Sequence, residues 1–206
     1  MEYNNTRGDF SQFKTDERIK RIRQVLESRQ PDFSLILENV YDPHNLSAVI
    51  RSCDSVGIYE VCLLYHSGQK MPKLSYTSSS SAIKWIQFKV FSNISECVDY
   101  VHSQGKKIYT TKLNTNAVPL YEIDFTQPIA LAFGNEHSGI SDELFMQADG
   151  NFLIPQVGMV QSLNISVAAA VSLYEGYRQR FAAGYYSSPR LEPQEIENLI
   201  KEWSAK

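Results

Sequence analysis

Short, almost wholly apolar runs alternate with amphipathic segments along most of this chain. The apolar runs predict buried β-strands, and they lie at Phe33 to Leu37, Glu60 to Leu64, Trp85 to Phe91, Lys107 to Thr110, Ile129 to Phe133 and Phe152 to Ile154. Helical periodicity falls between and after them, at Asn45 to Ser55, Ser95 to Ser103 and Ser162 to Phe181. Strands that are apolar on both faces and alternate with helices are typical of a mostly parallel sheet covered by helices on both faces. The pattern therefore predicts an α/β fold.

An amphipathic helix is predicted near each end of the chain. In the first, Thr15 is a candidate N-cap, followed by an apolar stripe of Ile19, Ile22, Val25 and Leu26. The second begins at about Pro193, and its stripe consists of Ile196, Leu199, Ile200 and Trp203. We therefore expect an N-terminal helical extension at 1–30, a main domain at 31–184 and a C-terminal helical extension at 185–206. The serine-rich run at 77–81 predicts a loop.

Composition limits the class of protein. The chain has 206 residues, 43% hydrophobic and 21% charged, which is enough for one large core. It has no apolar run of the roughly 18 to 20 residues that span a bilayer and no secretory segment at its start, so we expect a cytoplasmic protein without a membrane partner. The cysteines, widely spaced and odd in number, favour buried reduced thiols at Cys53, Cys62 and Cys97. The histidines show no metal-ligand spacing, so no metal site is predicted.

The net charge of −3 hides an asymmetry along the chain. Six basic residues stand against three acidic ones between Lys14 and Arg29, whereas every charged residue between Tyr121 and Gly150 is acidic. The basic segment has the charge of a polyanion-binding helix. An ordinary solvated helix face is the alternative.

Several common chemistries are excluded by the motifs. The spacing of Gly134 and Gly139 resembles a phosphate-binding loop, but Ile140 stands where that loop requires lysine. The sequence contains neither Gly-x-Gly-x-x-Gly nor Gly-x-Ser-x-Gly, which argues against dinucleotide-binding and hydrolase functions.

Three other segments place polar residues and glycines at the ends of predicted elements, where α/β proteins build binding sites. They are Asn45 to Arg51, Leu131 to Gly139 and Ile154 to Asn164. Such loops bind through main-chain atoms and suit a flat, mostly uncharged ligand such as adenosine. Taken singly, an arginine such as Arg51 is more often an exposed helix cation than a functional residue, and Glu136 could equally be a surface acid.

Together and in this order, the three segments resemble the three motifs of the SpoU class of RNA ribose 2'-O-methyltransferases, within the SPOUT superfamily. The resemblance extends from about Arg18 to Arg180. Its details, including Glu38-Asn39-Val40 before the first motif and the run from Tyr177 to Arg180 after the last, are most similar to the branch that methylates guanosine 18 in the D-loop of tRNA.

The resemblance implies an α/β fold whose C-terminal part threads a deep trefoil knot, with S-adenosylmethionine as cofactor, tRNA as substrate and a homodimer as the active form. Knotted chains are so rare that only the resemblance justifies expecting one. It implies catalytic roles for Arg51, Asn45, Glu136, Ser162 and Asn164. Cofactor contacts are expected from Leu131, Gly134, Ile154, Met159 and Leu163. RNA contacts are expected from Arg18, Arg21, Arg23, Arg178 and Arg180.

Two other functions remain open at this point. The motifs do not separate a tRNA D-loop enzyme from one that acts on ribosomal RNA or on the tRNA anticodon loop. The helices at the two ends of the chain favour the D-loop branch, which carries similar extensions. A non-catalytic RNA-binding protein of the same fold is less favoured, because all five implied catalytic residues are present together.

Overall fold

The structure of the protein, a computed structural model, describes residues 11–69, 72, 82–112, 117–160 and 162–206. The predicted serine-rich loop at 77–81 lies outside these residues. Six α-helices are described, α1 Ser11–Glu27, α2 Pro43–Ser55, α3 Ile94–Ser103, α4 Asp142–Gln147, α5 Ile165–Ala182 and α6 Pro193–Ser204. The described strands are β1 Phe33–Glu38, β2 Glu60–Leu64, β3 Gln87–Phe91, β4 Lys107–Thr110, β5 Val118–Pro119, β6 Ile129–Phe133 and β7 Gly150–Leu153.

The seven described strands form one sheet in the order β3-β2-β1-β6-β4-β7-β5, and every described pairing is parallel. Strand β1 lies near the centre, with Leu35 opposite Val61 of β2 on one side and Leu131 of β6 on the other. All residues of β1, β2 and β6 are buried, which agrees with their mostly apolar sequences. The predicted α/β class is confirmed.

Helices cover both faces of the sheet. The larger core lies on the face covered by α2 and α5, which pack against each other, and it includes Phe33, Leu35 and Leu131. A smaller core lies under α3 and α4 and includes Ile36, Cys62 and Cys97. The three cysteines are buried and unpaired, as predicted.

The helices at the two ends of the chain pack against each other around a third cluster that contains Leu26 and Trp203. The fully buried Arg29 joins this pair to the sheet. Its guanidinium donates to Asp54 Oδ1 at 2.6 Å, to the carbonyl of Ile58 at 2.9 Å and to that of Trp85 at 2.9 Å. Within the described residues, no helix has the length and apolar character needed to cross a bilayer.

Some predicted boundaries were wrong. Thr15 does not cap α1, because the helix begins four residues earlier, at Ser11. Trp85 precedes β3 instead of belonging to it, and α5 begins at Ile165 instead of Ser162. Helix α4 and the short strand β5 were not predicted, because six and two residues are too few to show a periodicity.

Candidate active site

A cleft of about 630 Å³ opens at the carboxyl ends of β4, β6 and β7. Its walls are the segments that follow these strands, together with the first turn of α5. The described lining residues include six of the predicted site residues, Gly134, Glu136, Ile154, Ser162, Leu163 and Asn164. Ligands of parallel α/β sheets bind at this edge, and the volume falls within the usual range of about 300 to 1,000 Å³ for small-molecule sites.

The loop that follows β6 is held in one conformation by close contacts. A Cβ atom on Gly134 would lie 2.0 Å from the carbonyl carbon and oxygen of Gly139, so only glycine fits there. Within the loop, the buried side chain of Asn135 accepts hydrogen bonds from the N–H groups of His137 and Ser138, both at 2.9 Å. The loop therefore presents Glu136, which is exposed, from a backbone that is itself fixed.

A chain of hydrogen bonds joins one residue from each of the three motifs. The Asn45 amide donates to Glu136 Oε1, and the Asn164 amide donates to Asn45 Oδ1 at 3.1 Å. Asn164 is also the N-cap of α5, because its Oδ1 accepts from the Ser166 N–H at 2.8 Å. Each amide oxygen thus receives a donor and each amide nitrogen faces an acceptor, which fixes the orientation of both side chains.

Arg51 lies further along the helix that carries Asn45. Asp42 caps α2, since its carboxylate accepts from the His44 N–H at 2.8 Å, and Pro43 occupies the first turn. Six residues of α-helix correspond to about 9 Å, so the backbone of Arg51 stands nearly two turns from that of Asn45. Its side chain is exposed and is not among the residues that line the cleft.

Two predicted cofactor residues are placed differently from the others. Leu131 is 0% exposed in the larger core, inside β6, and does not line the cleft. Met159 lies in the segment between β7 and α5 and is 100% exposed. Gly134, Ile154 and Leu163 line the cleft directly.

Thr111 and Lys112, which also line the cleft, were not predicted from the sequence. The buried amide of Asn151 holds Lys112 at both main-chain groups, accepting from its N–H at 2.9 Å and donating to its carbonyl at 2.7 Å. The Lys112 ammonium donates to Asp142, and this hydrogen bond and the attraction of the positive charge hold the pKa of Asp142 below its usual range. Both residues follow a strand at the carboxyl edge of the sheet, which is the signal that could have identified them.

The predicted RNA-contacting arginines fall into three groups, which are exposed, paired with a glutamate, or buried. Arg18 and Arg21 of α1 are exposed. Arg23 donates to Glu197 of α6 at 2.7 Å, and Arg178 of α5 makes two hydrogen bonds to Glu175. The pKa of Glu175 is lowered chiefly by the hydrogen bond from Arg178, against the opposing effect of burial.

Arg180 contradicts the prediction that it contacts RNA. Its side chain is 0% exposed and donates to Asp32 Oδ1 at 2.6 Å and to the carbonyl of Gln127 at 3.1 Å. The guanidinium also lies 5.0 Å from the ring centre of Phe33. A phosphate could reach this group only if the end of α5 separated from the sheet. The contacts of Arg180 are therefore structural.

The described residues contain no group of three or more histidine, cysteine, aspartate or glutamate side chains that could hold a metal ion. Main-chain atoms and apolar side chains form much of the cleft wall, and Phe133, Ile154 and Leu163 are among them. This composition suits a nucleoside-sized ligand. The fold and the site are those of an α/β protein with a cleft of this size at the carboxyl edge of a parallel sheet, the place where enzymes of this class bind their ligands.

The chain belongs to the SpoU rRNA Methylase family, whose model matches residues 32–174. It is 43% identical over 193 residues to the tRNA (guanosine(18)-2'-O)-methyltransferase of Thermus thermophilus, an alignment that covers 94% of this chain and 98% of that protein. The crystal structure of the TrmH/SpoU tRNA modifying enzyme of Aquifex aeolicus superimposes with a TM-score of 0.87 at 36% identity, covering 93% of this chain and 97% of that one. The SpoU methyltransferase AviRb of Streptomyces viridochromogenes, in complex with the cofactor AdoMet, is 26% identical with a TM-score of 0.66 over 76% of this chain and 59% of that one.

Proposed function

We propose that this protein transfers the methyl group of S-adenosylmethionine to the ribose 2'-hydroxyl of guanosine 18 in the D-loop of tRNA. The main structural support for this reaction is the hydrogen-bonded chain Glu136–Asn45–Asn164 beside the cleft, which joins three segments that are distant in sequence. The choice of tRNA rests on the relative of that activity, 43% identical across nearly the whole chain. An enzyme of ribosomal RNA or of the anticodon loop is the alternative.

The cleft residues fit S-adenosylmethionine. Gly134 and Gly139 both line the cleft and bring no side chain into it, which suits the approach of an adenine edge to the main chain. We assign cofactor contacts to the main chain around Leu131, Gly134, Ile154, Met159 and Leu163. When bound, this cofactor supplies a methyl group that its sulfonium centre has already activated.

The protein's main contribution is therefore positioning. Holding two reactants in attack geometry can supply roughly 7 to 11 kcal/mol of a barrier. The chain Glu136–Asn45–Asn164 fixes the end of α2 relative to the cleft, and Ser162 borders the same opening. Arg51, in our proposal, holds the phosphate next to the reacting ribose. Guanidinium groups stay protonated in proteins, so we assign the proton acceptor to this phosphate or to water, with Arg51 stabilising the anion.

For the RNA, we propose a path over the exposed side of α1, with contacts from Arg18, Arg21 and Arg23, and a second contact from Arg178. This surface lies within the pair α1–α6, which has its own core. That feature supports the division into extensions at 1–30 and 185–206 around a methyltransferase domain at 31–184. The cytoplasm, where tRNA is modified, is the proposed location.

We further propose that the active form is a homodimer and that the C-terminal part of the main domain threads a deep trefoil knot. Support for the dimer comes from an exposed apolar surface on α5 that includes Val167, Tyr174 and Phe181. Exposed apolar patches of this kind often mark protein interfaces. Phe181→Glu should convert the dimer to a monomer in light scattering; a wild-type monomer would contradict the dimer.

The function is tested with labelled S-adenosylmethionine and a tRNA transcript. We expect label at guanosine 18 by mass mapping, and no transfer to a transcript whose guanosine 18 carries a 2'-deoxyribose. Transfer to both transcripts, or only to ribosomal RNA, would refute the assignment. Arg51→Lys keeps the positive charge but loses the planar guanidinium that can donate two parallel hydrogen bonds to a phosphate, so we expect its kcat to fall at least 10-fold. Full activity of this variant would contradict the proposal that Arg51 holds the phosphate.

A further inference from the structure

Glu38 is a buried carboxylate outside the residues that line the cleft. It is the last residue of β1, and only 1% of its surface is exposed. Burial of a carboxylate costs several kcal/mol unless hydrogen bonds compensate for the lost water. The hydrogen-bond donors around Glu38 therefore indicate the role of its carboxylate.

Three donors converge on this carboxylate. The Ser141 N–H donates to Glu38 Oε2 at 2.8 Å, and the Ser141 hydroxyl donates to Oε1 at 2.6 Å. His66 Nε2 lies 2.8 Å from Oε1 and 3.2 Å from the Asn39 amide nitrogen, and it is the third donor to Glu38 when it carries a proton. An ionised carboxylate accepts at both oxygens, so it satisfies all three donors at once.

The donor Ser141 ends the loop that carries Glu136. Its hydroxyl also accepts from the Leu144 N–H at 3.2 Å, which makes Ser141 the N-cap of α4. The loop between β6 and α4 is thus attached at one end to the sheet through Phe133 and at the other end to Glu38. Only seven residues, 134–140, lie between these two attachments.

Glu38 also stands at the start of the loop that leads to Asn45. The next residue, Asn39, has a positive φ of 50°, and its Oδ1 accepts from the His66 N–H at 3.2 Å. Three residues later the chain reaches Asp42, the N-cap of α2. Glu38 therefore joins the loop that carries Glu136 to the short connection between β1 and α2, and Asn45 in the first turn of α2 donates to Glu136.

We propose that Glu38 is a positioning residue, which sets the distance between Asn45 and Glu136 by holding both loops to the end of β1. The catalytic part of this inference rests on the proposed methyl transfer. A glutamine at this position would keep the size of the side chain but direct an N–H₂ group at one of the converging donors. The loop from Gly134 to Ser141 would then shift, and a misplacement of about 1 Å in an active site can lower a rate by about 10²-fold.

The test compares Glu38→Gln with Glu60→Gln. Glu60 is a second buried carboxylate, 7% exposed, at the opposite edge of the sheet, where it accepts from the Tyr100 hydroxyl at 2.7 Å. Both substitutions remove one buried charge from a strand. We expect both to lower the thermal midpoint, whereas only Glu38→Gln should lower kcat, by about 10- to 100-fold. The KM for tRNA should stay the same, because the proposed RNA contacts lie on other elements.

A measurement independent of activity is amide hydrogen exchange in the loop 134–141. We expect exchange to accelerate at least 10-fold in Glu38→Gln and to remain at the wild-type rate in Glu60→Gln. Should Glu38→Gln not fold, Ser141→Ala removes one donor while keeping the carboxylate, and we expect it to change both readouts in the same direction.

The proposal is refuted if Glu38→Gln and Ser141→Ala keep kcat within two-fold of wild type, or if exchange in the loop 134–141 changes equally in Glu60→Gln. A wild-type protein that transfers no methyl group to any tRNA would refute the proposed function instead. In that case the exchange rates still decide whether Glu38 holds the loop.

Discussion

Replacing Gly134 with alanine adds a methyl group that overlaps main-chain atoms of the same loop. The new Cβ would lie 2.0 Å from the carbonyl carbon and oxygen of Gly139 and 2.4 Å from the amide nitrogen of Ile140, whereas real Cβ contacts essentially never fall below 3.0 Å. The two ends of the loop must therefore separate by at least about 1 Å. No side-chain rotation can relieve the clash, because every atom involved belongs to the main chain.

This displacement has two consequences of different size. Overpacking typically costs about 1 to 3 kcal/mol of folding free energy, which corresponds to a thermal midpoint lower by roughly 2 to 12 °C for a chain of this length. The same shift moves the main chain at the cleft and the base of Glu136, where about 1 Å of misplacement costs about 10²-fold in rate. We expect kcat to fall by about 100-fold, along with weaker binding of S-adenosylhomocysteine in calorimetry.

Gly105→Ala is the matched control. Gly105 has a φ of +72°, and no heavy atom lies within 4 Å of the position that a methyl group would occupy, so alanine there suffers backbone strain but no clash. Such strain costs of the order of 1 to 3 kcal/mol, similar to the loss expected for Gly134→Ala. The control should lose stability and keep kcat. If Gly134→Ala binds S-adenosylhomocysteine normally and keeps kcat within three-fold, the loop is not the rigid element described above.

Three further predictions concern stability and reactivity. Arg180→Gln should lower the free energy of unfolding by about 3 kcal/mol in urea titrations, because it leaves Asp32 with one fewer buried partner, while tRNA affinity of the folded protein stays the same; a loss below 1 kcal/mol would contradict this. A thiol reagent should label none of the three cysteines until urea unfolds the protein, since all are buried and burial raises the pKa of Cys53; fast labelling of native protein would exclude the described packing. Glu175 has a lowered pKa, so it contributes stability above its unfolded pKa and loses it as the pH falls through the folded value. Glu175→Gln should therefore show a smaller drop in thermal midpoint than wild type between about pH 5 and pH 3, and equal drops would refute the contribution.

The sequence predicted the sheet well where strands are buried on both sides. Strands β2, β4 and β6 were predicted with the bounds that the structure has. The order of the strands in the sheet could not be predicted, since β6 pairs with β1 across almost a hundred residues of chain. Such a pairing depends on tertiary contacts and leaves no local periodicity.

Sequence motifs pointed to residues that the structure places around one cleft, but the hydrogen bonds between them could not be predicted. Helical spacing separates Asn45 from Arg51, and nothing in the sequence indicates that Asn45 bonds to Glu136 and Asn164 instead. Arg180 continues at helical spacing the buried positions Ala169, Leu173 and Gly176, but this pattern alone does not predict that an arginine is buried. A charged residue at the end of an apolar stripe is ordinarily solvated, and the partner that buries this one, Asp32, lies on a distant loop.

The position of β6 between β1 and β4 has a consequence for synthesis of the chain on the ribosome. At about 5 to 20 residues per second, β1 emerges roughly 5 to 20 s before the strand that covers its second edge. During that interval, one edge of the mostly apolar strand β1 lacks its neighbouring strand in the nascent N-terminal half. Because Asn164 comes later still, a ligand cannot assist folding until four fifths of the polypeptide has been made.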